Sequence, residues 1–267
     1  MNKLFSRIYL TILIILLYLP IFYLILFAFN KGNNMGVFQG FTLSHFQELF
    51  ADKRLISIVI NTFLIAILSS LFATIIGLGG ALLIDSLKSK KAVNTYLSLN
   101  NILMVSPDVI IGSSFLILFT VLGFSLGFMS VLLSHIAFSI PIVVLMIIPR
   151  LKEMNRTMID AAQDLGATNF QVFSKVTLPY LMPSILSGFF MAFTYSLDDF
   201  AVTFFVTGNG FETLSVEVYS RARQGVSLEI NALSALIFIF SLIMIVIYYL
   251  LSVRSKKMIK NGKGRVV

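Results

Sequence analysis

Cysteine is absent from the 267 residues, which excludes disulfides and thiolate metal sites. Histidine occurs only twice, at His45 and His135. The two lie far apart in the chain, so neither a metal site nor a cofactor is expected. Charge is scarce as well. Asp, Glu, Lys and Arg make up 12% of the chain, where an ordinary soluble domain carries about 25%. No Gly-rich phosphate loop ending in Gly-Lys-Ser/Thr occurs anywhere, so the chain supplies no ATPase and no catalytic residue is assigned.

Apolar residues make up 58% of the sequence, including 26 Phe, and mean hydropathy is +0.95. A single soluble core of this size cannot hide that much apolar surface, whereas a lipid bilayer can. The net charge of +8 does not point to nucleic acid, because the basic residues cluster at the ends of apolar runs.

A membrane span needs about 20 mostly apolar residues. Six stretches qualify: 8–29, 55–84, 97–121, 127–149, 181–207 and 232–252. The first follows Lys3 and Arg7 and so mimics a signal peptide. It is too long for one and has no small-residue cleavage pattern, so it reads as a retained span. The turn at Gly123 to Gly127 pairs the third and fourth stretches as an antiparallel hairpin, and Pro107 is expected to kink the third. Gly77, Gly79 and Gly80 in the second stretch suggest close helix packing.

Most of the 20 Lys and Arg residues fall on one side if the N-terminus is cytoplasmic. These are Lys3 and Arg7, then Lys88, Lys90 and Lys91, then Arg150, Lys152, Arg156 and Lys175, then the tail from Arg254. The positive-inside rule therefore predicts both termini in the cytoplasm and a multi-pass protein of the cell membrane. The basic tail reads as a lipid-headgroup anchor.

The segment between the fourth and fifth stretches carries local signals of its own. Thr157 and Asp160 have capping-box spacing for a short helix that stops near Gly166, and Thr168 and Gln171 repeat that spacing for a second. Pro179 is expected to end the second helix and launch the fifth span. The segment resembles the signature loop of ABC importer permeases: Glu-Ala-Ala, three residues, Gly, nine residues, Ile, any residue, Leu, Pro. Here Asp160, Ala161, Ala162, Gly166, Val176, Leu178 and Pro179 occupy the fixed positions at the same spacing, with Asp for Glu at 160 and Val for Ile at 176.

That resemblance implies an all-α integral membrane permease in one domain over 1–267. It implies six transmembrane helices and a cytoplasmic coupling helix–turn–helix, within 150–180, seated on a separate ATPase dimer.

Three carboxylates interrupt the apolar stretches: Asp108, Asp198 and Asp199. Each costs about 2.5–3.5 kcal/mol near the centre of an isolated span, and no Lys or Arg lies within any of the six stretches. Adjacent helical residues point about 100° apart, so Asp198 and Asp199 cannot both face one path. One is expected to brace the other. Together with Tyr195 they are the candidate lining of a cation route.

The run from Tyr195 to Phe200, the Phe204-Phe205-Val206-Thr207-Gly208 run and the Ser106-Pro107-Asp108 segment resemble polyamine-importer permeases of the PotC type. This resemblance implies spermidine or putrescine as cargo. It also implies a second permease subunit and an extracytoplasmic polyamine-binding protein as partners. Another small cationic or metal-bearing substrate is the alternative, and an ion-gradient secondary transporter a more distant one.

Overall fold

The computed structural model describes residues 3–32, 35–224, 228–239 and 242–243. Among them no strand forms, only an isolated bridge between Asn30 and Phe41. The helices, in chain order, are α1 (Lys3–Ala28), α2 (Ser44–Ala51), α3 (Lys53–Ser86), α4 (Lys90–Val105), α5 (Asp108–Val121), α6 (Phe128–Glu153), α7 (Thr157–Asp164), α8 (Asn169–Val172), α9 (Leu178–Asp198), α10 (Ala201–Val206), α11 (Leu214–Gln224) and α12 (Leu228–Ile239).

Among the described residues, four helical segments are long and apolar enough to cross a bilayer: Phe5–Ala28, Lys53–Ser86, Phe128–Glu153 and Asn169–Asp198. The α4–α5 pair makes a fifth if it is counted as one broken span. Most of the expected sixth stretch, 232–252, lies outside the described residues.

The third stretch departs from the expected kink and is cut in two, with α4 and α5 meeting at 99°. The residue before a proline is pushed out of the helical region by the proline ring. Ser106 accordingly takes ψ 140° and ends α4. Pro107 then stands at the N-cap of α5, which puts Asp108 in the first turn, where the helix dipole favours an acid.

The fifth stretch is cut as well. Asp199 leaves the helical region at ψ 122°, so α9 stops at Asp198 and α10 starts at Ala201.

By contrast, Pro179 ends nothing. A π-helical turn at Phe173–Thr177 joins α8 to α9, and Asn169–Asp198 runs as one helical segment. Pro179 comes directly after this π-turn, where the bonding register shifts by one residue, and the helical segment continues past the missing N–H.

The chain forms two compact units, Met1–Ile56 with Val218–Val267, and Ser57–Glu217. In the first, Phe29 stacks on Phe41 at 5.1 Å, and the Asn30 side chain accepts from Gln39 N at 2.7 Å. Arg221 bonds Asp52 at 3.3 Å and Glu229 at 2.7 Å. The Leu55 backbone N–H holds the Asp52 carboxyl below the usual carboxylate range, with Arg221 adding to the effect.

In the second unit α6 is the central helix. Val143, Ile147 and Leu181 pack into one buried cluster, and Ile65, Val131, Phe138 and Val202 into another. Gly77 on α3 meets α6 closely, since a Cβ there would stand 2.7 Å from Val143 Cγ1.

Candidate functional site

The two interrupted helices of the second unit lie against each other. α10 packs on α5 at Gly112, where a Cβ would stand 2.8 Å from Phe205 Cδ2, 3.0 Å from Val202 Cα and 3.1 Å from Ala201 O. Two of these are backbone atoms and cannot swing aside. Forcing extra volume into a packed contact costs about 1–3 kcal/mol. Gly112→Ala should therefore lower the thermal midpoint of the detergent-solubilised protein, and an unchanged midpoint would show that the contact yields.

The same region brings Asp108 and Tyr195 together, with the Tyr195 hydroxyl donating to Asp108 Oδ1 at 3.0 Å. The Tyr195 ring meets Phe138 edge to face at 5.0 Å. Asp198, exposed at the last turn of α9, lines a cleft of about 340 Å³. Tyr195, Phe138, Thr194, Met104 and Met191 also form its walls. The arrangement is a carboxylate at one point of an otherwise apolar and aromatic pocket.

Asp199 points elsewhere. Its side chain is 5% exposed and caps α10, accepting from Val202 N at 3.3 Å and from Thr203 N and Oγ1 at 2.8 Å each. A helix that starts away from water leaves N–H groups unsatisfied, and the acid just before its N-cap residue Phe200 satisfies two of them. Ser215 Oγ donates to the Asp199 carbonyl at 2.6 Å.

His135 carried no role in the sequence reading beyond its poor prospects as a metal ligand. It proves to be a centre of buried polarity, 1% exposed. Its Nδ1 lies 2.7 Å from Ser196 Oγ, and its Nε2 lies 2.8 Å from Thr203 Oγ1 and 3.5 Å from Asp199 Oδ2. Ser69 Oγ on α3 joins at 2.8 Å from Ser196 Oγ. These partners are more than 60 positions from His135 in sequence, which is why no local pattern exposes them. The nearest thing to a signal is a histidine in the middle of an apolar run.

At the other end of the Asn169–Asp198 segment lies the two-helix elbow. Asp160, Ala161 and Ala162 sit in α7. Gly166 follows α7 at φ +82°, a left-handed value that side chains other than glycine adopt at a cost. Gly166 N bonds Gln163 O at 2.8 Å and Ala167 N bonds Ala162 O at 3.0 Å, which is the Schellman closure of a helix end.

Thr168 and Gln171 form both bonds of a capping box at the start of α8. Thr157 forms no such box; Asn155 Oδ1 accepts from its backbone N instead, at 3.0 Å. Val176 falls in the π-turn, and Leu178 and Pro179 open α9. Arg156 is tied to Asp85 at the end of α3 at 2.6 Å. Leu165 is 89% and Phe170 75% exposed. The elbow residues and the acids thus form two separate groups joined by the length of α9. Among the described residues no set of three His, Asp or Glu side chains gathers as a metal site.

Long apolar helices, two of them interrupted beside an acid, suit a protein that spans the membrane, and the relatives of this chain are transport permeases and not enzymes. The chain belongs to the family described as "Binding-protein-dependent transport system inner membrane component", whose model matches residues 1–260.

It is 38% identical over 232 residues to the spermidine/putrescine transport system permease protein PotC of Escherichia coli K12, covering 86% of this chain and 87% of that one. It is 34% identical over 252 residues to the putrescine transport system permease protein PotI of the same strain, covering 92% and 90%. Solved structures share the fold. A chain of a bacterial ABC transporter that imports alginate superposes with TM-score 0.70 at 14% identity, covering 93% of this chain and 94% of that one. A chain of the MetNI methionine ABC transporter does so with TM-score 0.58 at 18% identity, covering 79% and 98%.

Proposed function

We propose that this chain is the permease subunit through which an ATP-driven importer passes polyamines into the cytoplasm. The observation that carries the reading is the cleft at the broken end of α9. There Asp198 stands beside Tyr195, which holds the Asp108 carboxylate, in a chain whose relatives are polyamine permeases.

A polyamine is a flexible chain of ammonium groups separated by methylenes. Asp198 and Asp108 suit the charges, and Phe138, Tyr195 and the methionines suit the methylenes, with cation–π attraction from the rings. Asp199 belongs to this pathway as the group that shapes its wall.

The rest of the reading concerns assembly. The chain has six spans with both termini in the cytoplasm. It pairs with a second homologous permease and meets an extracytoplasmic polyamine-binding protein on its outer loops. Asp160, Ala161, Ala162, Gly166, Val176, Leu178 and Pro179 form the coupling elbow on an ATPase dimer. The exposed Leu165 and Phe170 support it, since large apolar side chains on an outlying elbow suit contact with another protein.

In cells that depend on this system, labelled spermidine uptake should collapse when ATP is depleted and survive dissipation of the proton gradient. The opposite pattern would mark an ion-coupled carrier. Stimulation of the purified complex's ATPase by a different cation, and not by polyamines, would overturn the substrate assignment.

A further inference from the structure

Asp198 has a neighbour on each side that is fixed by the same buried side chain. Ser196, two residues before it, and Thr203, which holds Asp199 just after it, both bond His135. The direction of the bonds is fixed at the Asp199 end of this group. Thr203 Oγ1 gives its proton to Asp199 Oδ2, so it accepts from His135 Nε2–H. On its other side His135 Nδ1 is hydrogen-bonded to Ser196 Oγ at 2.7 Å, and Ser196 Oγ to Ser69 Oγ at 2.8 Å. A chain of hydrogen bonds of 2.7–2.8 Å thus runs from Ser69 through Ser196, His135 and Thr203 to Asp199. The bonds of such a chain polarise and strengthen one another where water is excluded.

The position of this chain gives it a task. α9 ends at Asp198 and α10 begins only at Ala201, so helical hydrogen bonding supports Asp198 from its N-terminal side alone. The clamp on Ser196 and the cap at Asp199 hold it from both sides, while the Ser215 hydroxyl holds the Asp199 carbonyl.

We propose that His135 is a positioning residue for polyamine recognition. It bridges the two sides of the α9–α10 break and so fixes the direction in which Asp198 enters the cleft. It touches no substrate itself. This inference rests on the polyamine reading above.

The test compares concentration-dependent spermidine uptake by His135→Ala, His135→Gln, Thr203→Val and Asp198→Asn in the assembled complex, each normalised to the amount of complex in the membrane. A glutamine amide places an acceptor oxygen and a donor NH2 where the imidazole has its two ring nitrogens. His135→Ala and Thr203→Val should raise the half-saturating concentration roughly tenfold, the equivalent of about 1.4 kcal/mol. Maximal rate should stay within about twofold, and His135→Gln should recover most of the loss.

An unchanged half-saturation in His135→Ala and Thr203→Val, beside a raised one in Asp198→Asn, overturns the positioning role and leaves the polyamine reading standing. An unchanged value in Asp198→Asn defeats the polyamine reading itself. If His135→Ala fails to reach the membrane, Thr203→Val decides, since valine keeps the volume and the backbone cap. Absence of both from the membrane assigns the chain to folding alone and also overturns the proposal.

Discussion

Replacing Gly166 by tryptophan should stop ATP-driven uptake while leaving the chain in the membrane at ordinary levels. Two effects add at this position. The backbone stands at φ +82°, where a residue with a Cβ pays about 1–2 kcal/mol. The space beyond is open, with no described residue within 4 Å of a Cβ, so a large side chain would project from the elbow into whatever seats there.

Gly166→Ala isolates the first effect and should weaken coupling modestly. Gly166→Trp adds the second and should reduce substrate-stimulated ATPase and uptake by about tenfold or more, a change of at least 1.4 kcal/mol. The measurement is uptake and ATPase in proteoliposomes, with co-purification of the ATPase subunit. Normal values of both for the tryptophan variant would remove the elbow from the coupling role.

Asp198→Asn should have a comparably large effect, this time on substrate and not on coupling. Hydrogen bonds to charged groups contribute about 1.5–3 kcal/mol. Losing the carboxylate that lines the cleft should therefore raise the half-saturating polyamine concentration at least about tenfold. Assembly should be unaffected, since Asp198 is exposed and lies outside the buried clusters.

Asp108→Asn should be milder, because the amide oxygen can still accept from the Tyr195 hydroxyl as the carboxylate does now. Tyr195→Phe removes that donor and serves as the matched control. Labelled uptake over a range of spermidine concentrations separates these cases. An Asp198→Asn curve that overlays the parent's excludes this carboxylate from the route.

Much of the helical layout could be read from apolar runs bounded by basic residues, as at α1, α3 and α6. The Thr168 capping box was legible because it depends on residues three apart. The break of α9 was not, because periodicity and hydropathy look the same on either side of Asp199. What ends the helix there is a side chain turning back to cap the next one, a choice visible only when α10 has α5 to pack on.

Pro179 misled for the opposite reason, being a helix breaker placed where breaking is unnecessary. The two neighbouring acids Asp198 and Asp199, expected to point apart with one bracing the other, have different surroundings. Asp199 braces α10 and His135, and Asp198 faces the cleft. His135 escaped notice because its partners come together only in the fold.

The uninterrupted backbone from Asn169 to Asp198 has a mechanical corollary. Thirty residues at about 1.5 Å each make a strut of about 45 Å, long enough to traverse a bilayer. One end carries the exposed Phe170 and the other the cleft acid. Force applied at the foot of such a strut arrives at its head as tilt or axial slide, without any relay of side-chain rearrangements between.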